Sequence, residues 1–381
     1  MLKKTALFIL ICLPLAAQRD PGYDLSVVKQ VRIDARELGY PPVDVIPSDE
    51  SAVHALATAP DGTLYGATSG KRSHLFLMSP VHGYVVPLGF LKGVSAVQRS
   101  LVVAQNGDVY IGTSPDGHLL KYAPVDHRHG HIRIDEAAET TDLGVPVAGE
   151  SIYALAIDRG RGRIFGLTYP NGSFFTYDIG AGKFAVAGKV AERKIPGEKF
   201  ENEKNIGRAI AVDAEGNAYT SGEGGRLFGW YGGSLRKLAA TVPTVMGREV
   251  YNRVDAWAVG GDGSVFYGGT SDGYLFRFEP KEGRIQNLGK PLNQYRIRGL
   301  VQSQNGKLYG VGGDDDEMAR LFSYDPLHGA YEMLGMVDVN RRPYYTWQAY
   351  VIDAMALGPE GTVYMGQSER KSKLYLYYPE Q

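Results

Sequence analysis

Apolar and polar positions along this chain fall into short runs separated by glycine-bearing turns, with no long stripe of helical period, which predicts many short β-strands. One unit recurs. ALATAPDGTLYG at Gly62 consists of an apolar strand, a D-G turn and a second strand ending in an aromatic, and the same order returns in LVVAQNGDVYIG at Gly107, ALAIDRGRGRIFG at Gly162 and AIAVDAEGNAYTSG at Gly216. It returns again in AWAVGGDGSVFYGG at Gly263, GLVQSQNGKLYG at Gly306 and AMALGPEGTVYMG at Gly361. A second turn such as SDG or PNG follows, then a third strand such as YLFRFEP or FFTYDIG, then a weaker fourth strand that often closes on Leu-Gly. Four short antiparallel strands repeated about every 50 residues are the sequence form of a propeller blade, so seven units predict an all-β, seven-bladed β-propeller.

The seventh unit ends at KLYLYYPEQ, after its third strand. A fourth-strand sequence stands at the other end of the chain, where VVKQVRIDARELG precedes the first full unit and finishes on Leu38 and Gly39, as other fourth strands finish on Leu88-Gly89, Leu143-Gly144, Leu288-Gly289 and Leu334-Gly335. This N-terminal strand is therefore expected to complete the last blade and leave no open sheet edge at the seam.

Lining up the first strands brings out a second pattern. The residue before each apolar run is His54, Arg99, Tyr153, Arg208, Asp255, Arg298 or Asp353; all stand at one offset ahead of the turn glycine except Tyr153, one further because its turn carries an extra residue. The next residue is always small (Ala55, Ser100, Ala154, Ala209, Ala256, Gly299, Ala354), and the one after is large and apolar (Leu56, Leu101, Leu155, Ile210, Trp257, Leu300, Met355). The first strand of each propeller blade runs beside the central channel. The polar residues should thus ring one mouth of a water-filled funnel, the small ones should sit where inner strands crowd, and the large ones should wedge between blades.

Composition narrows the class. A formal net charge of -1, with no basic run or stripe, gives no support for nucleic-acid binding. Lys3 and Lys4, an apolar stretch from Ala6 to Leu15 and the small pair Ala16 and Ala17 have the order of a secretory signal peptide, which assigns residues 1–17 to the signal and 18–381 to the propeller. That stretch falls short of the ~20 residues a spanning helix needs. Cys12, the one cysteine, lies within it and follows Ile11, where a lipoprotein signal would carry a small residue. The processed chain would then have no disulfide, no thiol chemistry and no membrane span, and would be secreted or periplasmic.

Three arginines converging with a tyrosine and a histidine suit an anionic ligand, because guanidinium groups grip carboxylates in planar, often bidentate geometry. For a uronic acid within a glycan, neutralising the carboxylate acidifies the neighbouring C5 proton; a tyrosine or histidine can remove it while a second group protonates the leaving oxygen at C4. The ring and the repeat array resemble the secreted seven-bladed propeller polysaccharide lyases, such as the ulvan lyases and rhamnose-glucuronate lyases. The resemblance covers the whole array in architecture, with its specificity in the ring and not in a contiguous signature. It implies His54 and Tyr153 working across the funnel mouth, Arg208 on the uronate carboxylate and Arg99 or Arg298 assisting, with base and acid not yet assigned between His54 and Tyr153. The implied partner is an acidic glycan or oligosaccharide.

Long fourth-to-first-strand connections feed the same mouth: AERKIPGEKFENEKNIG, PTVMGREVYN and VNRRPYYTWQAY. Tyr344, Tyr345 and Trp347 are candidates to stack on sugar rings or to cap a blade interface, and Arg248, Tyr251, Asn252 and Arg253 are candidates to reach a glycan from the rim. Asp255 and Asp353 join the binding set, or serve as the carboxylate pair of a glycoside hydrolase. Against hydrolysis, they sit two blades apart and the arginines would keep both ionised. A non-catalytic binding or interaction propeller is the other alternative. A quinone-dependent dehydrogenase lacks support, since no tryptophan docking motif recurs.

No cofactor is predicted. The run DHRHGHIRID carries His127, His129 and His131 but follows a third strand, on the face away from the ring, where alternating histidines are commonly just solvated. Asp314, Asp315 and Asp316 lie on the ring side and offer the oxygen ligands calcium takes; a charged hairpin tip is the simpler account, and the spacing is not that of an EF-hand loop.

Overall fold

A computed structural model describes residues 33–38, 46–78, 83–124, 134–191, 205–293, 296–314, 316–341, 345–369 and 371–379. Short alternating strands joined by tight turns fold, as the pattern predicts, into seven four-stranded antiparallel blades. Blade 1 comprises Ala52–Thr58, Leu64–Ser69, Ser73–Met78 and Val85–Leu91, adjacent in chain order, and blades 2 to 6 repeat that order. Their first strands are Leu101–Val103, Ser151–Asp158, Ala211–Val212, Val254–Val259 and Ile297–Gln302. Each first strand packs against those of the blades before and after it, round a closed circle. All seven turn glycines adopt positive φ, as Gly62 does at 87° and Gly361 at 79°, a conformation other residues adopt only under strain.

Blade 7 closes the ring as expected. Its strands are Ile352–Leu357, Val363–Gln367 and Lys373–Tyr377, and the fourth is Ile33–Glu37 from the other end of the chain. Ile33 lies opposite Tyr377 and Glu37 opposite Lys373. Beyond the strand, the Leu38 amide donates to the Ser372 carbonyl at 3.2 Å, and the Leu38 side chain is fully buried. A hairpin of Asp338–Arg341 with Tyr345–Gln348 is inserted between blades 6 and 7.

The core is divided among the seven blade interfaces. Ala55, Tyr65 and Leu75 of blade 1, for instance, pack with Leu101, Val103 and Val109 of blade 2. The large residues two positions past the ring do wedge between blades: Leu56, Leu101, Leu155, Ile210, Trp257, Leu300 and Met355 each join the cluster shared with the preceding blade. Crowding at the inner strands is equally direct, since a Cβ on Gly299 would lie 2.4 Å from Met355 Sδ.

A second lock fixes the strand ends. A Cβ on Gly112, Gly269 or Gly366 would meet Ile152, Ile297 or Val53 of the next blade, each 2.4–2.5 Å away. These β-branched residues immediately precede ring residues, so the lock sets the height of the ring. Gly366→Ala is expected to cost about 1–3 kcal/mol by overpacking against Val53, read as a lower urea midpoint at unchanged m-value.

Candidate functional site

The ring residues are set apart from their strands by β-bulges. Pairing slips between Val53 and Ala55, Ile152 and Ala154, Val254 and Ala256, Ile297 and Gly299, and Ile352 and Ala354. The extra, unpaired residue in those five blades is His54, Tyr153, Asp255, Arg298 or Asp353. A bulge re-aims one side chain without disturbing the alternation beyond it. Arg99 and Arg208 reach the ring differently, by pairing with the next blade: the Arg99 carbonyl accepts from the Leu155 amide, and the Arg208 amide donates to the Val254 carbonyl, both at 2.9 Å.

The open funnel expected from the sequence is barred by its own side chains. Arg99 crosses the axis from blade 2, donating to the carbonyls of Asp255 and Arg298 and, from Nη2 at 3.3 Å, to Asp353 Oδ1. The same carboxylate oxygen accepts from Arg208 Nη1 at 3.3 Å and Arg298 Nη1 at 2.9 Å. The other oxygen, Oδ2, lies 3.7 Å from His54 Nε2. Tyr153 in turn interacts with Arg208. Tyr153 and His54 therefore flank the Arg208–Asp353 ion pair, across blades 3, 4, 7 and 1.

Asp255 forms a second hub. Its fully buried carboxylate accepts from Arg253 Nε at 3.1 Å and Arg296 Nε at 2.8 Å. Arg296 was not among the residues singled out from sequence, although it stands two positions ahead of Arg298 just as Arg253 stands two ahead of Asp255. Five guanidinium groups thus gather around two buried carboxylates and the half-exposed Asp314, which accepts from Arg298 Nη2 at 2.6 Å. The excess of positive charge favours an anionic ligand.

These charges set one another's ionisation. Burial alone would raise the Asp353 carboxyl, but Arg208, Arg298, Arg99 and His54 overcome it and hold it well below the ordinary carboxylate range. Asp255 is held low in the same way, burial being outweighed by Arg296 and Arg253 foremost. His54 moves down from the ordinary imidazole value because burial, reinforced by Arg208, Arg99 and Arg298, outweighs Asp353. Burial and the nearby Arg208 bring the Arg99 guanidinium down to about 10 against the pull of Asp353 and Asp255. At neutral pH the site accordingly carries two carboxylates, a neutral imidazole and charged arginines. Two ionised carboxylates, each already committed to arginines, lack the protonated acid a hydrolase pair requires.

Inside the ring lies a cavity of about 160 Å3, lined by His54, Arg99, Arg298 and Asp353 and by apolar residues that include Leu56, Trp257 and Met355. Asn252, a rim candidate, is 1% exposed and ties down its own connection: Nδ2 donates to the Pro243 carbonyl, and Oδ1 accepts from the Arg253 amide. Arg248 is fixed by the buried Asp272 at 3.0 Å. Tyr345 and Trp347 fall on the second strand of the inserted hairpin. Tyr344, Asp315, the histidines at 127, 129 and 131, Cys12 and the segment 1–17 lie outside the described residues. Among the described residues no three His, Cys, Asp or Glu side chains are grouped to hold a metal ion, and no helix is long and apolar enough to cross a membrane.

No protein-family model and no curated protein matches this chain. Solved structures of similar fold include the extracellular domain of the putative one component system BT4673 from B. thetaiotaomicron, at a TM-score of 0.60 and 16% identity over 90% of this chain. A second is the extracellular domain of the putative hybrid two component system BT4673 from the same organism, at a TM-score of 0.60 and 15% identity over 90% of this chain. The present chain spans 39% of the length of each. At that identity the likeness concerns the propeller fold.

Proposed function

We propose that this protein is a secreted or periplasmic polysaccharide lyase that cleaves a uronate-containing glycan by β-elimination at the arginine ring. The grouping of Tyr153 and His54 about the Arg208–Asp353 ion pair carries the proposal, because it provides two proton-transfer groups beside a cation that can neutralise a carboxylate. Arg208 faces the substrate carboxylate, and Arg99 and Arg298 add positive potential. His54, with its ring held beside the Asp353 carboxylate 3.7 Å from Nε2, serves as the base in its neutral form. In the reaction the C5–H bond breaks and its proton passes to His54. The electron pair forms the C4–C5 double bond, the C4–O bond breaks, and Tyr153 protonates the departing oxygen.

A second reading is a non-catalytic glycan-binding propeller. Arg99 and Arg298 already donate to protein acceptors across the mouth, and the similar structures are extracellular domains of a putative one component or hybrid two component system. Purified protein incubated with a panel of uronate glycans separates the readings. Growing ultraviolet absorbance from an unsaturated uronate is the expected result; binding without any product would establish the second reading, and reducing ends without absorbance would indicate hydrolysis.

A further inference from the structure

Blade 7 meets blade 1 at the seam of the ring, and a cavity opens in the packing between them. Leu64, Phe76 and Met78 of blade 1 share one apolar cluster with Tyr364, Leu374 and Leu376 of blade 7. Beside that cluster lies a cavity of about 370 Å3, bordered by Pro359, Glu360 and Thr362 of the turn that follows the first strand of blade 7. Asp353 stands at the start of that strand, so the cavity belongs to the face opposite the arginine ring. Its volume falls within the range of about 300–1,000 Å3 usual for small-ligand sites. Met78, Tyr364 and Leu376, all buried, make its inner wall, and Tyr378 stands beside them.

Strand pairing turns the polar groups into this space. Arg36 lies opposite Leu374 on the closing strand, and directly opposed residues share a face of the sheet. Its side chain therefore points toward blade 1, where Nε donates to the Gly83 carbonyl. Nη1 donates to the Ala35 carbonyl at 3.2 Å. Nη2 lies at the cavity edge, since a Cβ on the lining residue Gly83 would stand 3.5 Å from it. Burial foremost, then Tyr378 and Glu360, raise the Tyr364 hydroxyl against the pull of Arg36. Three lining groups are thus near enough to act on that hydroxyl, which keeps its proton at neutral pH. Among the described residues neither it nor the Glu360 carboxylate has a hydrogen-bond partner, and the hydroxyl keeps accessible surface.

The chemistry of the lining selects the ligand. One cation, one anion and the hydroxyls of Tyr364 and Thr362 supply donors and acceptors without net charge. An anion drawn to Arg36 is repelled by Glu360, and the reverse holds for a cation. A zwitterion would answer both charges, but Gly83 occupies the Nε of Arg36 and so breaks the side-on fork with which a guanidinium grips a carboxylate. The remaining Nη2 donor suits a hydroxyl. A pyranose has hydroxyls that both donate and accept along its edge, and C–H faces that match the tyrosine rings and the apolar wall.

We propose that the seam between blades 7 and 1 binds a neutral pyranose unit, held by Arg36, Glu360 and Tyr364 on the face opposite the arginine ring. The site differs from the ring in residues, charge and face, and it stands whether or not the protein cleaves a glycan.

Saturation-transfer NMR on the full chain tests it, with the methyl glycosides of D-glucose, D-galactose, D-mannose, L-rhamnose and D-xylose as probes and glycine as the zwitterion. Transfer to at least one glycoside is the expected result, with affinity about tenfold lower in Glu360→Ala, the scale of one hydrogen bond to a charged group. Tyr364→Phe should weaken it several-fold; phenylalanine keeps the ring that packs against Gly358, where a Cβ would lie 2.8 Å from Tyr364 Cε2, and removes only the hydroxyl. Arg208→Met should leave the signal intact. No transfer to any glycoside, equal affinity in wild type and both seam variants, or transfer to glycine alone would overturn the proposal, the last giving the seam to a zwitterion. Absence of uronate cleavage would leave the glycoside signal untouched, and Glu360→Ala should leave any cleavage unchanged, so the two readings fail separately.

Discussion

Replacing Asp353 by asparagine is expected to lower the unfolding free energy by about 3–5 kcal/mol, the usual cost of removing one partner from a buried ion pair. Asparagine keeps the volume but removes the anion shared by Arg99, Arg208 and Arg298, so three guanidiniums from three blades repel across the axis without compensation. Urea unfolding measures the loss. Asp314→Ala is the control: it removes a partner of the same Arg298, but from a side chain that is 43% exposed, and should cost no more than about 1 kcal/mol. A change below 1 kcal/mol in Asp353→Asn would mean the ring is solvated rather than knit. The acid response follows from the same charges. The Asp353 and Asp255 carboxyls lie lower in the folded state than in the unfolded chain, where the ordinary value is about 3.9. Their contribution is thus complete above that pH and is lost as the pH falls through the folded values. In Asp353→Asn the acid limb of the stability curve should flatten.

His54→Ala and Tyr153→Phe are each expected to reduce the elimination rate by about 10²–10⁴-fold, the range for loss of a positioned acid or base. The effect belongs in kcat, because neither group is the one proposed to grip the carboxylate; Arg208→Met should raise KM as well. Combining the two substitutions should cost far less than the product of the single losses, since both groups act in the same elimination step. The pH profile gives an independent reading. His54 is a base only when neutral, and its folded value lies below the ordinary imidazole value of about 6.5. Wild-type kcat/KM should therefore persist at pH 6.5 and fall only at lower pH, and His54→Gln should abolish that limb. Ligand binding that survives both substitutions, with no product from wild-type protein either, would give the site to recognition alone.

The propeller was legible in sequence because its determinants are local and repeated. A turn glycine with positive φ, an apolar strand before it and an aromatic strand after it specify a blade independently of distant contacts. Closure could be read because Leu38 ends its strand as other fourth strands end. The ring was legible as a set of positions, but not as a network. Arg99 lies 156 residues from the Asp255 carbonyl it reaches, and nothing in local pattern tells which arginine crosses the axis. That is why an open funnel was expected where a barred one is found. Asn252 shows the same limit: a polar residue beside the mouth looks like a ligand contact until its amide is found spent on Pro243 and Arg253. One signal was present and unused. Each of the five bulged ring residues follows a β-branched residue, Val53, Ile152, Val254, Ile297 or Ile352, whereas Arg99 and Arg208 follow Gln98 and Gly207. Stepping two positions back from a ring residue, as from Asp255 to Arg253, finds Arg296 ahead of Arg298.

The bulges carry a consequence for how such a mouth can be rewritten. A residue outside the ladder contributes no cross-strand partner, so exchanging it leaves the hydrogen-bonded frame and the side-chain parity of its strand unchanged. Positions 54 and 153 are consequently places where one ring of strands can be given new recognition chemistry residue by residue. Positions 255 and 353 occupy the same kind of place but act as counter-charges, and have to be altered together with the arginines they serve. The scaffold thus separates a programmable set of side chains from a coupled one, and a ligand preference could drift along the first while the second keeps the blades in register.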